Sequence, residues 1–241
     1  MKATLQIKIF AIAFFSFACY ESKAQSALSI YTDFGSNNVS KGTYYKTAII
    51  TSYTKGKNTI EAGFQTDIIN RNNSGFSGFS MKASRILIIK HLPVEIQGFY
   101  IWLNPAGMLV ETNWGAQVMM QQTHFKMSIG TDFRSFSLKS LSEEVSNQSH
   151  KLHEIYNMMY SFSYYIKPTG EKWNIGLSLT NVDHFMINQE TNPLLNLCGT
   201  YRISSHAGLY IESWYKTAGL TNQVLNKFGI LIRTGIVWNL N

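Results

Sequence analysis

The sequence has little proline, little cysteine and few charged residues, and each shortage narrows the class of protein. Its 241 residues include four prolines and two cysteines, and 15% of them are charged. Because Cys19 lies in the N-terminal stretch, Cys198 has no partner for an internal disulfide, which excludes a disulfide-stapled fold. The net charge of +7 is not gathered into Lys/Arg blocks, so we expect no nucleic-acid partner.

The chain also lacks a long apolar run after its N-terminal stretch. Beyond residue 24 no segment reaches the roughly 18 consecutive apolar residues that a membrane-spanning helix requires. The N-terminal stretch begins with the basic residues Lys2 and Lys8. A short apolar run, Ile9–Ala18, follows, and Ser22–Ala24 then forms a small-x-small site. This order predicts a secretory signal peptide over residues 1–24 and a single domain over residues 25–241. An alternative places a lipid on Cys19, but the bulky Phe17 before it disfavours that site.

What the sequence does have is alternation of apolar with small or polar residues. Between Phe228 and Leu240 the even-numbered residues are mostly large and apolar, whereas the odd-numbered ones include Gly229, Arg233 and Gly235. Successive side chains of a β-strand point to opposite faces, so such a segment has one apolar face and one small or polar face. The pattern predicts strands near 27–34, 47–55, 58–69, 78–90, 93–104, 109–121, 124–137, 152–166, 172–182, 195–204, 206–216 and 226–240.

The connections between these segments alternate between short and long. Short ones fall at 56–57, 91–92, 122–123, 167–171 and 205, and mostly longer ones at 35–46, 70–77, 105–108, 138–151, 183–194 and 217–225. Transmembrane barrels combine tight turns at one end with long loops at the other and an even number of strands. Residues 78–90 and 93–104 alternate poorly, so we expect a bulge or a shifted boundary there.

Two architectures produce this alternation, a soluble β-sandwich and a membrane barrel. The predicted strands run about 10–15 residues, longer than the five or six typical of soluble strands and long enough to cross a bilayer at a tilt. Their polar faces carry glycine, serine and mid-strand charges, which suit the interior of a narrow closed barrel. The sequence therefore predicts an all-β fold, a transmembrane antiparallel β-barrel of about twelve strands.

The signal peptide, the alternation and the aromatic closing strand Phe228–Trp238 together resemble Gram-negative outer-membrane β-barrel proteins. Such proteins typically end in a strand with a terminal aromatic residue, whereas this chain ends Trp238-Asn239-Leu240-Asn241. The resemblance implies location in the outer membrane and contact with its lipid, and it does not single out one channel or enzyme family.

Charged side chains on the polar faces are the candidate lumen residues. They are Asp33, Asp67, Glu111, Asp132, Arg134, Arg202, Glu212 and Arg233. The acids among them lie mostly toward the outer mouth, and a ring of charge sets selectivity in such pores. One interpretation is therefore an acidic mouth that favours cations or polyhydroxyl solutes. The other is a lumen packed shut by paired charges, because unpaired charges in a confined interior are costly.

The predicted outer loop at 183–193 is rich in polar side chains. Asp183, His184, Glu190 and Asn192 form a candidate ligand site there. The alternative is an ordinary turn, because Asn, Thr and Pro in this stretch are common turn formers. We predict neither a metal nor a cofactor.

The function that best fits this pattern is a narrow, porin-like channel for small hydrophilic solutes. One alternative is a non-conducting barrel that binds a protein partner in a larger outer-membrane complex through its long outer loops. A lipid-modifying enzyme is a further alternative, since barrel phospholipases and lipid A deacylases share a His-x-Ser pair on one strand face. None of the six histidines is followed two positions later by serine, and Ser204-x-His206 reverses the order, so we predict no enzymatic activity.

Overall fold

The computed structural model describes most of the chain after the N-terminal stretch. The described residues are 24–36, 43–67, 77–104, 109–138, 151–168, 171–185, 187, 193–216 and 229–240. All of the predicted signal peptide except Ala24 lies outside them, and it stays a prediction. Within the described ranges, no helix is long and apolar enough to cross a membrane.

The described residues form twelve strands, one for each predicted segment. They are β1 (Ala24–Ser36), β2 (Thr43–Lys55), β3 (Asn58–Asp67), β4 (Ser77–Ile89), β5 (Leu92–Asn104), β6 (Leu109–Gln121), β7 (Phe125–Leu138), β8 (Lys151–Tyr165), β9 (Trp173–Thr180), β10 (Leu194–Arg202), β11 (Ala207–Lys216) and β12 (Ile230–Asn239). The strands begin or end within four residues of the predicted bounds, and the largest differences are at the start of β2 and of β12.

Each strand pairs antiparallel with its neighbours in the chain, and β12 pairs back onto β1. The closing register runs from Ala27 opposite Asn239 to Gly35 opposite Leu231. Closure leaves no free sheet edge, so every strand has hydrogen-bonding partners on both sides, which a hydrocarbon environment requires. The predicted antiparallel barrel is confirmed, and the sandwich alternative is wrong.

The outer surface of the barrel is apolar. Mid-strand residues such as Ile129, Leu197 and Ile211 are 61%, 54% and 55% exposed on the outward-facing parity. Their neighbours on the inward-facing parity are small or polar, as the alternation predicted. An apolar band around a closed cylinder matches the hydrocarbon core of a bilayer.

The turns at the two ends of the barrel differ in length. β2 and β3 are joined by residues 56–57, and β4 and β5 by Lys90 and His91, which both have positive φ (47° and 69°). Two consecutive residues with positive φ make the mirror-image turn that matches strand twist in a two-residue hairpin. The connections at the opposite end include 37–42, 68–76 and 181–193, so the predicted alternation of short and long links is confirmed.

The bulge that was one of two expectations for β4 and β5 is absent from this described pair, whereas the alternative, a shifted boundary, is found: β4 lies one residue earlier than predicted and β5 starts one residue earlier. Their register is continuous from Ser77 opposite Asn104 to Ile89 opposite Leu92. Alternation is poor because Phe99, Ile101 and Leu103 of β5 face inward, where they belong to a buried apolar cluster inside the barrel. The register shift that the structure does show lies between β7 and β8, at Phe136 and Ser137.

The close approach of β6 to β7 generates the first prediction. A Cβ added at Gly130 would overlap the carbonyl oxygen of Ala116 and lie 2.6 Å from the Cβ of Gln117. Backbone cannot yield as a flexible side chain can, so Gly130→Ala should destabilise the barrel by about 1–3 kcal/mol. The measurement is the urea unfolding midpoint of the refolded protein in detergent micelles.

Gly98→Ala is the matched control for this change. A Cβ at Gly98 meets its nearest atom, the carbonyl oxygen of Gly115, at an ordinary 3.9 Å. The unfolding midpoint of Gly98→Ala should therefore stay close to that of the wild type. Equal destabilisation by both substitutions would contradict the proposed backbone clash at Gly130.

Candidate functional site

A row of charges of alternating sign crosses five adjacent strands inside the barrel. In register from β11 through β12 and β1 to β3, it consists of Glu212, Arg233, Asp33, Lys46 and Asp67. We call this set the charge row. Arg233, Asp33, Lys46 and Asp67 are at most 1% exposed. Each charge therefore has an oppositely charged neighbour where water is scarce and attraction is strong.

Arg233 is the centre of the charge row. Its guanidinium donates five hydrogen bonds to three carboxylates, at 2.7 and 3.0 Å to Asp33, 2.8 and 3.0 Å to Asp183, and 3.5 Å to Glu212. Five is the full donor capacity of an arginine side chain. Two of the contacts are bidentate, an arrangement that fixes both carboxylates in the guanidinium plane.

Two aromatic rings lie near the guanidinium of Arg233. The Cζ atom of Arg233 lies 4.2 Å from the ring centre of Tyr31 and 5.7 Å from that of Trp214. Trp214 also donates its indole N–H to Glu212 at 2.8 Å, and Gln65 donates to Asp33 at 2.9 Å. The position of Arg233 is therefore set in the plane by carboxylates and above the plane by rings.

The chain leaves the barrel wall after β9 and turns into the lumen. We call residues 181–185 and 187 the inward segment. The side-chain amide of its first residue, Asn181, hydrogen-bonds to the backbone of β8. It donates to the carbonyl of Met158 at 2.7 Å and accepts from the backbone N–H of Tyr160 at 2.8 Å. A bridge between Val182 and Ile187 closes the segment into a narrow turn.

Apolar side chains of the inward segment are buried inside the barrel. Phe185 and Ile187 are 0% and 2% exposed and belong to the buried cluster that also contains Ile101 and Leu103. The wall opposite Phe185 is small, because a Cβ added at Gly63 would lie 3.0 Å from the Cζ of Phe185. The inward-facing apolar residues of β5 thus have a partner that comes from a different part of the chain.

Asp183 connects the inward segment to the charge row. Burial alone would raise the pKa of its carboxyl, but the Arg233 guanidinium beside it holds the pKa well below its ordinary value. The side chain is ionised in the docked segment, and it neutralises charge that Arg233 would otherwise bury.

His184, the next residue of the inward segment, contacts a different part of the barrel wall. Its Nδ1 lies 3.5 Å from the ammonium nitrogen of Lys82, which in turn contacts Glu61 at 2.9 Å. The imidazole also lies near the Tyr31 ring, with 6.0 Å between ring centres. Burial and the nearby Lys82 charge lower the pKa of His184 from 6.5 to about 4, so the docked imidazole is neutral at neutral pH.

A second group of charged side chains lies across the lumen on β6 and β7. The Nε of Arg134 is 3.1 Å from Glu111 and donates to Asn113 at 3.0 Å. Asp132 accepts a hydrogen bond from Asn157 at 3.4 Å. Arg134, Asp132 and Asn113 are 0% exposed. Opposite charges are again placed together, so neither side of the lumen is a ring of one sign.

The end of the lumen near the short turns contains open space. It holds a cavity of about 650 Å³ lined by apolar, amide and charged side chains, among them Ile86, Glu95, Met119, Gln121 and Lys126. The lumen therefore contains a cavity near the short turns and the buried inward segment elsewhere.

Most of the predicted lumen charges do face the interior. Asp33, Asp67, Glu111, Asp132, Arg134 and Arg233 are buried there, and Glu212 is partly buried. Arg202 is exposed at the periplasmic end of β10. In the candidate ligand site, Asp183 and His184 point into the lumen and contact other parts of the barrel, whereas Glu190 and Asn192 lie outside the described residues.

Sequence analysis missed two lumen cations and the apolar part of the inward segment. Lys216 is 5% exposed and shares the parity of Glu212 and Trp214, a signal that was available. Lys46 fell outside the predicted bounds of its strand. Phe185 carried no usable signal, because an apolar residue in a connection is not by itself evidence that the connection enters a lumen.

Comparison with known proteins supports the fold. No family model and no curated protein matches the sequence. Among solved structures, the chain is similar to a KdgM porin in complex with disordered oligogalacturonate (TM-score 0.55, 8% identity, 89% of this chain and 99% of that chain covered). It is also similar to an outer membrane channel from Pseudomonas putida F1 (TM-score 0.56, 10% identity, 92% and 97% covered). The fold is that of an outer-membrane β-barrel, as the sequence predicted.

The second prediction concerns Arg233. Replacing it by methionine, which has a similar length and no charge, leaves Asp33, Asp183 and Glu212 without their shared cation. Removal of one partner from a buried ion pair typically costs about 3–5 kcal/mol, so Arg233→Met should lower the urea unfolding midpoint strongly. Arg202→Met, at an exposed strand end, should change the unfolding free energy by less than about 0.5 kcal/mol. Similar effects of the two substitutions would contradict the central place of Arg233.

Proposed function

We propose that the chain is an outer-membrane channel that passes small hydrophilic solutes, and that the inward segment sets its narrowest point. The observation that carries this proposal is a closed barrel with an apolar exterior and a polar lumen. Charged and amide side chains line the lumen both around the charge row and in the cavity near the short turns. A water-filled route needs such a lining, whereas a barrel with a purely structural interior can use apolar packing throughout.

The obstruction belongs to a connection rather than to the wall. Phe185 and Ile187 reach the lumen from the inward segment, and the wall facing Phe185 is formed by Gly63 and its neighbours Ser80 and Ile50. Moving the segment would therefore leave space behind it. The cavity of about 650 Å³ on the periplasmic side already provides the other half of a route.

The distribution of charge favours neutral or zwitterionic polyhydroxyl solutes over simple cations. The acids that suggested a cation-selective mouth are interleaved with Lys46 and Arg233 in the charge row, and Glu111 is paired with Arg134. Adjacent charges of opposite sign give little net field along the axis, while their many donors and acceptors suit hydroxyl groups.

Catalysis is not part of this proposal. Ser204 accepts backbone N–H bonds from His206 and Ala207 at 3.2 and 3.1 Å, which is a turn-forming role. The His206 ring instead lies 2.8 Å from Ser205 in the same exposed turn. Such an arrangement stabilises the β10–β11 connection and places no serine on a strand face beside the imidazole.

The third prediction tests the channel directly. Replacing residues 183–187 by an equal length of glycine and serine removes both the Asp183 contact and the apolar side chains from the lumen. Single-channel conductance in planar bilayers should rise several-fold above that of the wild type, because the obstruction has been removed.

A matched replacement of residues 203–206 by glycine and serine is the control, since it alters a turn at the periplasmic end and leaves the inward segment intact. Its conductance should match that of the wild type. If the 183–187 replacement folds but does not conduct, the channel proposal fails and the non-conducting barrel of a larger complex takes its place.

A further inference from the structure

We propose that acidification releases the inward segment from the lumen, and that protonation of His184 is the event that breaks its docking. The inference rests on the proposed channel function, whose narrowest point it makes pH-dependent. It follows from the contact between Nδ1 of His184 and the ammonium nitrogen of Lys82.

The contact between His184 and Lys82 fixes the protonation state of the imidazole. A lysine ammonium can only donate hydrogen bonds, so Nδ1 of His184 must present a lone pair to it across the 3.5 Å that separate them. Protonation places an N–H and a positive charge where that lone pair was, opposite a second positive charge. The attractive contact becomes a repulsive one.

The other charges around His184 do not compensate for this change. On β3, Glu61 is already paired with Lys82 of β4 at 2.9 Å. On β12, Arg233 is paired with Asp183 of the inward segment itself and with Asp33 of β1. Tyr31 of β1 adds a neutral ring. A protonated His184 would therefore be an additional cation beside Lys82, while the two nearby carboxylates, Glu61 and Asp183, are already paired with Lys82 and Arg233.

The sign of the effect follows from linkage. The pKa of His184 is about 4 when the segment is docked and about 6.5, the ordinary value, when it is released into water. The docked state thus binds fewer protons between these values. Docking is at full strength above about pH 6.5 and weakens as the pH falls, by roughly 100-fold at pH 4.

Asp183 acts in the same direction at still lower pH. Its pKa in the docked segment lies below the ordinary value, because the contact with Arg233 outweighs the effect of burial. The stabilisation that its carboxylate gives to the docked segment is present above an ordinary aspartate pKa of about 4 and is lost as the pH falls below it. Of these two side chains of the inward segment, His184 is consequently the one that responds between pH 6.5 and pH 4.5.

The fourth prediction compares the wild type with His184→Asn. The asparagine Oδ1 can occupy the position of Nδ1 and accept from Lys82, but it cannot be protonated in this range. The conductance or open fraction of the wild type should rise at least several-fold between pH 7.5 and pH 4.5, whereas that of His184→Asn should not change. His206→Asn, in an exposed turn, should retain the response of the wild type.

Release of the segment can also be measured without conductance. Ile187→Cys in a Cys19→Ser, Cys198→Ser background places the only thiol of the chain in the inward segment. Its rate of modification by a water-soluble maleimide is normalised to the denatured protein at the same pH. Modification at pH 4.5 should be several-fold faster with His184 than with His184→Asn in this background. Equal rates would overturn the inference.

The outcomes separate this inference from the channel proposal. If the 183–187 replacement conducts at both pH values but the wild type shows no increase at pH 4.5, the channel stands and the acid-driven release is wrong. If the replacement does not conduct while labelling still depends on His184, the release is supported and the channel proposal fails.

Discussion

The position of Arg233 is the constraint on which the rest of the interior depends. Burying a guanidinium is costly unless its charge and its donors are satisfied, and here three carboxylates from three different parts of the chain satisfy them. Asp33 lies across the seam where β12 closes onto β1, Glu212 lies on the preceding strand, and Asp183 lies on the inward segment. The same side chain therefore links barrel closure to the filling of the lumen. A lysine would not serve equally, because a single ammonium cannot make two bidentate contacts.

The charge of Arg233 also explains why an apolar segment sits in a polar lumen. Phe185 and Ile187 gain by leaving water, but a connection that carried only apolar residues would find few partners on a wall that is mostly small or polar. Asp183, two residues before Phe185, gives the segment an ionic contact at a fixed point of the wall. The phenyl ring then lies on the space that Gly63 leaves open, in the same buried cluster as the inward-facing residues of β5.

The strands and most lumen charges were predictable from the sequence because both depend on a local property, the two-residue period of a strand. Asp132 and Arg134, for example, share a parity, and that alone places both inside. The inward segment was not predictable in this way. At the end of β9 Asn181 adds side-chain hydrogen bonds to the backbone of β8, which a two-residue period does not reveal. Phe99 and Ile101 interrupt the alternation because they belong to a buried cluster that includes Phe185, which lies more than 80 residues away in the chain.

The two kinds of contact that hold the inward segment respond differently to the medium. The apolar contacts of Phe185 and Ile187 are insensitive to pH and salt over the physiological range. The Asp183–Arg233 contact is buried, with side chains at most 5% exposed, so dissolved ions screen it far less than they would a surface pair. His184 is different, because it is only partly buried and its contact with Lys82 requires a lone pair. Of the side chains in the segment that the structure describes, it is the one whose attraction to the wall can be reversed by a single proton between pH 6.5 and pH 4.5, which is why contacts that resist salt can still respond to acid.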